Sequence, residues 1–226
     1  MKILFNDLLQ NEPGLPEELK SPSLAEKIFY SGAGPVQFDL HNPVTINAIG
    51  IGGHGGISGV TVFDSGGSSA EAAICGEAGL YLLDREITAV KIVFSVNGER
   101  PRIGRLAAGI SVNIPTAVAK EPGYASTSRP RRSLSGQVLP GLTGYSYRTL
   151  SLDSRYKIGG EALREIEAGY CYIAAGYPFF IDLSDESYKL PFSRLYASDT
   201  GQLAMGFEGG ITRFLYSRRF NFEERF

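Results

Sequence analysis

Short runs of β-branched and aromatic residues, each closed off by Gly, Pro, Asn or Asp, recur along almost the whole chain from Leu24 onward. They fall at residues 37–40, 44–51, 59–63, 79–83, 89–96 and 102–114, and again at 144–152, 170–175, 178–183, 195–197, 203–207 and 212–222. Strands so short and so regularly punctuated predict a sandwich or barrel rather than a helical or alternating α/β fold. The run Val90-Lys91-Ile92-Val93-Phe94-Ser95-Val96 shows the pattern well, with Val90, Ile92, Phe94 and Val96 on one face and Lys91, Val93 and Ser95 on the other. That alternation belongs to a half-buried strand. The 28 glycines and 12 prolines supply the turns, and 12 Tyr with 13 Phe suit sheets.

Between two of these runs stands Ala48-Ile49-Gly50-Ile51-Gly52-Gly53-His54-Gly55-Gly56, which contains G-x-G-x-x-G at Gly50, Gly52 and Gly55. A dinucleotide site needs a strand before such glycines and a helix opening on them, because the helix N-terminus holds the pyrophosphate. The strand is there. After Gly56, however, the chain reads Ile57-Ser58-Gly59-Val60-Thr61-Val62-Phe63, a second strand. The expectation is therefore a loop joining two strands, with no nucleotide and no cofactor, and with His54 a solvated loop residue.

Other enzyme signatures are missing. The chain has no G-x-S-x-G, H-E-x-x-H, G-x-x-x-x-G-K-[ST] or C-x-x-C, so the expectation is a protein that is not an enzyme. Asp182, Asp185 and Glu186 cluster, but a glycosidase pair must face across a cleft, and a turn explains the cluster as well. Those acids and Asp64 do not have EF-hand spacing. Two cysteines, Cys75 and Cys171, and two histidines, His41 and His54, make no metal framework. The cysteines have small or apolar neighbours and read as buried free thiols. A formal net charge of −2 gives no electrostatic case for nucleic acid. The apolar run after Met1 is too short for a signal peptide, and no stretch approaches the roughly 20 apolar residues of a membrane span. No membrane insertion is expected, and synthesis and folding in the cytosol are.

The pattern divides the chain into four segments. Residues 1–23, interrupted by Pro13, Pro16 and Pro22, read as an extended lead-in. Residues 24–114 form a first β domain. Residues 115–137 are rich in Ser, Pro and Arg and poor in large aliphatics, and read as a surface loop or arm. Within it Arg129, Arg131 and Arg132 form a basic patch, either a solvated loop or a docking point for an acidic partner. Residues 138–226 form a second β domain with one short helix over 160–169, where Ala162, Leu163 and Ile166 share a face and Gly169 is a stop. The strand at 211–222 is long, with Phe214, Tyr216 and Arg218 on one face and Leu215, Ser217 and Arg219 on the other. Phe214, Tyr216 and Arg218, like the arginines of the arm, are candidate subunit contacts. The alternative is that Arg218 and Arg219 merely blunt an exposed edge.

Two stretches carry a resemblance. Residues 38–51 (FDLHNPVTINAIGI), 87–96 and Arg102-Ile103-Gly104-Arg105-Leu106-Ala107-Ala108-Gly109 resemble the discoidin-like, galactose-binding-like jelly rolls. The I-G-R-L-x-A-G run also resembles one in structural proteins of long-tailed bacteriophages. Residues 144–222 are similar to the β-sandwiches of phage tail tubes and distal tail proteins, although the domain order is the reverse of the usual distal tail order. The resemblance implies a mainly β chain: a jelly-roll or β-sandwich domain followed by a tail-tube-like β-sandwich with one short α-helix. It implies a virion structural protein of the tail tip or baseplate. Copies would form a ring that joins the tube to the tip among other tail proteins, assembled in the host bacterial cytoplasm. The alternative is a carbohydrate-binding module that touches host-surface glycan through its jelly-roll loops. A glycan hydrolase is the third class. No catalytic residue is carried over.

Overall fold

The computed structural model describes residues 1–24, 27–31, 34–76, 78–98, 100–113, 119–127, 131–132, 135, 138–139, 144, 146–154, 178–184, 194–199, 206–210 and 213–224. The chain is mainly β, with antiparallel sheets, and the helical element among the described residues is one 3-10 turn at Glu17–Leu19. The expected helix over 160–169 lies outside the described residues. Two compact units divide the chain. The first comprises Met1–Pro115, Ile158–Ser198 and Arg225–Phe226, and the second Thr116–Lys157 and Asp199–Glu224.

In chain order the first unit holds β1 (Lys2–Leu4), β2 (Ile28–Phe29), β3 (Val36–Gly52), β4 (Ile57–Phe63), β5 (Ser69–Ala73), β6 (Gly79–Val96), β7 (Arg102–Ile103), β8 (Arg105–Gly109) and β9 (Val112–Asn113). The second unit then contributes β10 (Ala119–Ser126), β11 (Arg131–Arg132), β12 (Val138–Leu139) and β13 (Ser146–Ser154). The chain returns to the first for β14 (Phe179–Asp182) and β15 (Arg194–Asp199), and goes back to the second for β16 (Gly206–Gly210) and β17 (Arg213–Glu224).

The first unit is built on a five-stranded sheet in the order β5-β4-β6-β3-β8. The separate strands expected at 37–40 and 44–51 are one strand, β3, because Pro43 does not end it. The register shifts between Asp39 and Val44, so the proline sits in a bulge, where a missing N–H breaks no ladder bond. The freed N–H groups of His41 and Asn42 donate instead to the Glu12 carboxylate, at 2.8 and 3.3 Å. Burial works to raise the Glu12 pKa, but these bonds and one from Gly14 outweigh it and hold the carboxyl below its ordinary value. The runs 79–83 and 89–96 likewise join as β6, in which Ile92 and Phe94 are buried and Lys91 and Ser95 are not.

Glu12 belongs to the segment expected as an extended lead-in. That segment turns back on itself, with Glu12 N–H on the Leu9 carbonyl and Leu15 N–H on the Glu12 carbonyl. Its prolines and glycine set the turns, and the leucines between them point inward. Leu9, Leu15 and Leu19 join Ile49, Ile51, Ile103 and Leu106 in the larger hydrophobic cluster. On the opposite face of β3, Ala48 joins Leu4, Ala107, Phe180 and Tyr196 in a smaller one. Leu4 and Phe180 lie on β1 and β14, which pair antiparallel in the order β15-β14-β1-β9. Residues 48–52 of β3 are therefore buried from both sides.

In the second unit β13 lies between β10 and β17, and β16 pairs with the first part of β17. Leu150 faces Phe222 across β13 and β17, and both are buried. Arg148 and Glu224 close the same pair of strands with an ion pair and a bond from the Arg148 backbone N–H. The segment 115–137, expected as a surface loop or arm, contains β10, which runs in register with β13 from Ala119↔Asp153 to Ser126↔Ser146. Its Pro, Gly and small polar residues hide a strand because β10 is the outer strand of this group, where such residues are tolerated.

Candidate functional site

The glycine stretch is a strand end and a tight turn. Gly50 and Gly52 are the last part of β3, and β4 opens at Ile57, the position where a nucleotide site would need a helix. A Cβ on Gly50 would fall inside the ring of Phe180, and one on Gly52 inside the side chain of Leu24. These glycines are small because neighbours press on them. Gly53 and Gly56 have φ of 61° and 69°, the left-handed region that reverses the chain. His54 is half-buried, and its Nε2 lies 3.2 Å from the Tyr81 hydroxyl, so it is not the solvated loop residue expected.

The acids singled out in the sequence serve turns where they are described. Asp182 ends β14 and accepts bonds from the Ser184 N–H and hydroxyl at 3.0 and 2.9 Å. Asp64 accepts from the N–H groups of Gly66 and Ser68, both at 2.8 Å. Asp185 and Glu186 lie outside the described residues, as do Cys171 and Arg129. Among the described residues no three His, Cys, Asp or Glu side chains come together as a metal site would require. Cys75, expected as a buried thiol, is exposed. It occupies the turn between β5 and β6, and its Sγ lies 3.4 Å from Arg194 Nη1.

The candidate contact residues fall on paired strands. Arg131 and Arg132 form β11, opposite Leu139 and Val138 of β12. Phe214 and Tyr216 pair with Gly209 and Phe207 of β16, and Arg218 pairs with Ser154 of β13. From Arg213 to Glu223, β17 is thus hydrogen-bonded within its own chain along at least one side.

The most built-up concave site is one the sequence did not suggest. It is a cavity of about 280 Å³ in the first unit. Phe5, Phe179 and Tyr196 supply aromatic wall, with the Phe5 and Phe179 centroids 5.5 Å apart. The Tyr196 hydroxyl is fixed by donating to the Pro22 carbonyl at 2.8 Å. The polar wall centres on Asp7 and Arg105, an ion pair at 2.6 Å. Arg105 also donates to the Lys20 carbonyl and to Gln10 Oε1, and Asp7 accepts from the N–H groups of Leu9 and Ala108. Burial pushes the Asp7 carboxyl above its ordinary value, against the pull of Arg105 and these two N–H donors. Lys20, Gln10 and Asn11 complete the polar side. One signal for this site was legible: Arg105 opens the otherwise apolar run Arg105-Leu106-Ala107-Ala108-Gly109, and an arginine inside a buried strand needs an acid from elsewhere.

A second, shallower groove of about 410 Å³ runs past Phe29, Tyr30, Ser31 and Gln37. Phe29 is 63% exposed there. The Tyr30 hydroxyl oxygen is buried without a hydrogen-bond partner among the described residues, and burial, with the Glu18 charge adding to it, pushes its pKa up to about 12.

No family model matches the chain, and neither the curated proteins nor the solved structures contain a significant match to it.

Proposed function

We propose that this chain is a structural protein of the tail tip or baseplate of a long-tailed bacteriophage, and that copies assemble into a ring joining the tail tube to the tip. On this reading the first unit is the jelly roll and the second the tube-like sandwich. The observation that carries it is the exposed aromatic on the outer strand of the second unit: Tyr124 of β10 is 67% exposed. Phe29 of the first unit is the other large aromatic left in solvent among the described residues. A ring closes through a heterologous interface, in which each copy offers two different patches. Aromatic side chains are what such interfaces use to gain area at small entropic cost. Sedimentation of the purified protein across a concentration series should show a closed oligomer of defined size, and electron microscopy should show rings. A monomer at every concentration, or an open-ended ladder of species, would sink the reading.

Carbohydrate binding is the second reading, and the groove at Phe29 favours it. An exposed ring beside an amide such as Gln37 is a surface on which a sugar can stack and hydrogen-bond.

A further inference from the structure

We propose that the cavity between Phe5, Phe179 and Tyr196 binds a small carboxylate whose body is a single apolar ring, a site independent of the assembly reading above. Three observations lead there. The aromatic walls are nearly closed to solvent and held in place, Tyr196 by its bond to Pro22 and Phe5 by its contact with Phe179. A rigid apolar chamber with a few polar groups is the usual form of a small-molecule site. Its 280 Å³ falls just below the roughly 300–1,000 Å³ range of drug-sized sites, which suits one ring and not two.

The polar side selects the charge. Asp7 and Arg105 satisfy one another and nearby backbone, so neither needs a ligand. Gln10 gives its oxygen to Arg105, which leaves its NH2 to offer. Lys20 is the informative group. Its side chain is only 7% exposed, yet the acid it meets, Glu17 at 2.8 Å, is 86% exposed. A pair with one partner in water is weak. The Lys20 charge also acts on Asp7, but that carboxylate is already committed to Arg105 and two N–H groups, so an ammonium held largely out of water gains from a further anion inside the same cavity. Lys20 and Gln10 both line the polar side, and the side-chain groups they bring, an ammonium and an amide NH2, are donors, so the polar end of a ligand must accept, and a carboxylate does so with full charge complementarity.

The experiment titrates the full-length, 15N-labelled protein with benzoate and follows backbone amides by NMR. Benzylamine keeps the ring and reverses the charge, and acetate keeps the charge without the ring. Saturable shifts for benzoate near Lys20 and Phe179 are expected, with benzylamine and acetate each weaker by about tenfold or more. Lys20→Met, which preserves the buried stem, should weaken benzoate by about tenfold. Glu17→Gln, at an exposed position, should strengthen it by about threefold, because the competing carboxylate is gone. The opposite signs of the two variants separate a binding effect from a folding defect. Absence of saturable shifts, equal binding of benzylamine, or indifference to both variants would overturn the proposal.

Discussion

The two units hold their strands in different ways. In the first, residues 48–52 of β3 are packed from both faces, so closely that Gly50 has no room for a methyl group. In the second, the described side chains of β13 include a fully buried apolar pair, Leu150 with Phe222, beside an ion pair, Arg148 with Glu224, and a polar pair, Ser151 with Asn221 at 2.8 Å. The backbone ladder is common to both. Among the described side chains, what is added differs: dense burial around β3, where almost any change of volume or charge is felt, and cross-strand pairs along β13 and β17, each worth well under 1 kcal/mol to about 1 kcal/mol. Substitutions should therefore cost much in the first unit and little on the outer strand of the second.

The largest effect is expected at Arg105. Arg105→Met keeps the stem and removes the charge, leaving Asp7 buried beside its two N–H donors with only the weaker pull of Lys20 for a counter-charge. Loss of one partner of a buried pair costs about 3–5 kcal/mol, measured here as a fall in the urea midpoint. The pH dependence has a definite sign. With Arg105 gone the folded Asp7 pKa rises further above its unfolded value. A carboxyl raised in this way gives its full contribution below the unfolded pKa, and that contribution is lost as pH rises through the folded value. The deficit against wild type should thus grow from acid toward neutral pH. A second change, Asp7→Leu, made in the Arg105→Met background should recover part of it, because an apolar pair avoids the stranded charge.

A smaller loss is expected from Gly50→Ala. The new methyl would collide with the ring of Phe180, and overpacking a dense core costs about 1–3 kcal/mol. Phe180→Leu alone should also destabilise, but the two together should cost less than their sum, since the smaller side chain leaves room for the methyl. A double-mutant cycle by denaturant unfolding measures the coupling. Additive costs would mean that Phe180 does not press on Gly50, and that β3 is not packed from both faces at that point.

How much of this was legible in the sequence depends on which physical signals are local. Alternation located β3, β4 and β6 of the first unit, because burial on one face is written residue by residue in a run such as 90–96, but it missed the short β1 and β2 and the small-residue β5, and merged β7, β8 and β9 into one run. Interruptions were over-read: Pro43 divides the pattern, but a side chain 31 residues earlier, Glu12, satisfies the N–H groups of the bulge it creates. The lead-in was read as extended because prolines forbid helix there, and nothing local says that Leu9, Leu15 and Leu19 have a sheet to cover. Strand β10 was hidden for the converse reason, since an outer strand needs no apolar run. Cys75 was assigned to the interior from its small neighbours, which in fact make a turn. Of the cavity only Arg105, a charge at the head of an apolar run, left a mark in the sequence, because Phe5, Lys20 and Tyr196 converge on it only once the sheets exist.

The smallest effect on folding, and the sharpest test of the comparison, belongs to Tyr124→Ser. The side chain is exposed on β10, so its loss should change monomer stability by no more than about 0.5 kcal/mol. The outer edge of β10 is a poor template for strand addition. Pro122 has no N–H, and proline in a sheet takes positions where that N–H would have faced away from the ladder, so it interrupts the row of donors that another strand would meet. If copies meet at this strand, side-chain packing and not backbone pairing must supply the contact, and Tyr124 is the largest side chain available there. Tyrosines at the centre of an interface commonly contribute more than 1 kcal/mol, so the variant should raise the oligomer dissociation constant by about tenfold with the melting curve unmoved. A melting curve that falls with the dissociation constant would make Tyr124 part of the second unit's own packing, and the two units would then differ less than their strands suggest. An unchanged dissociation constant would move the contact away from β10.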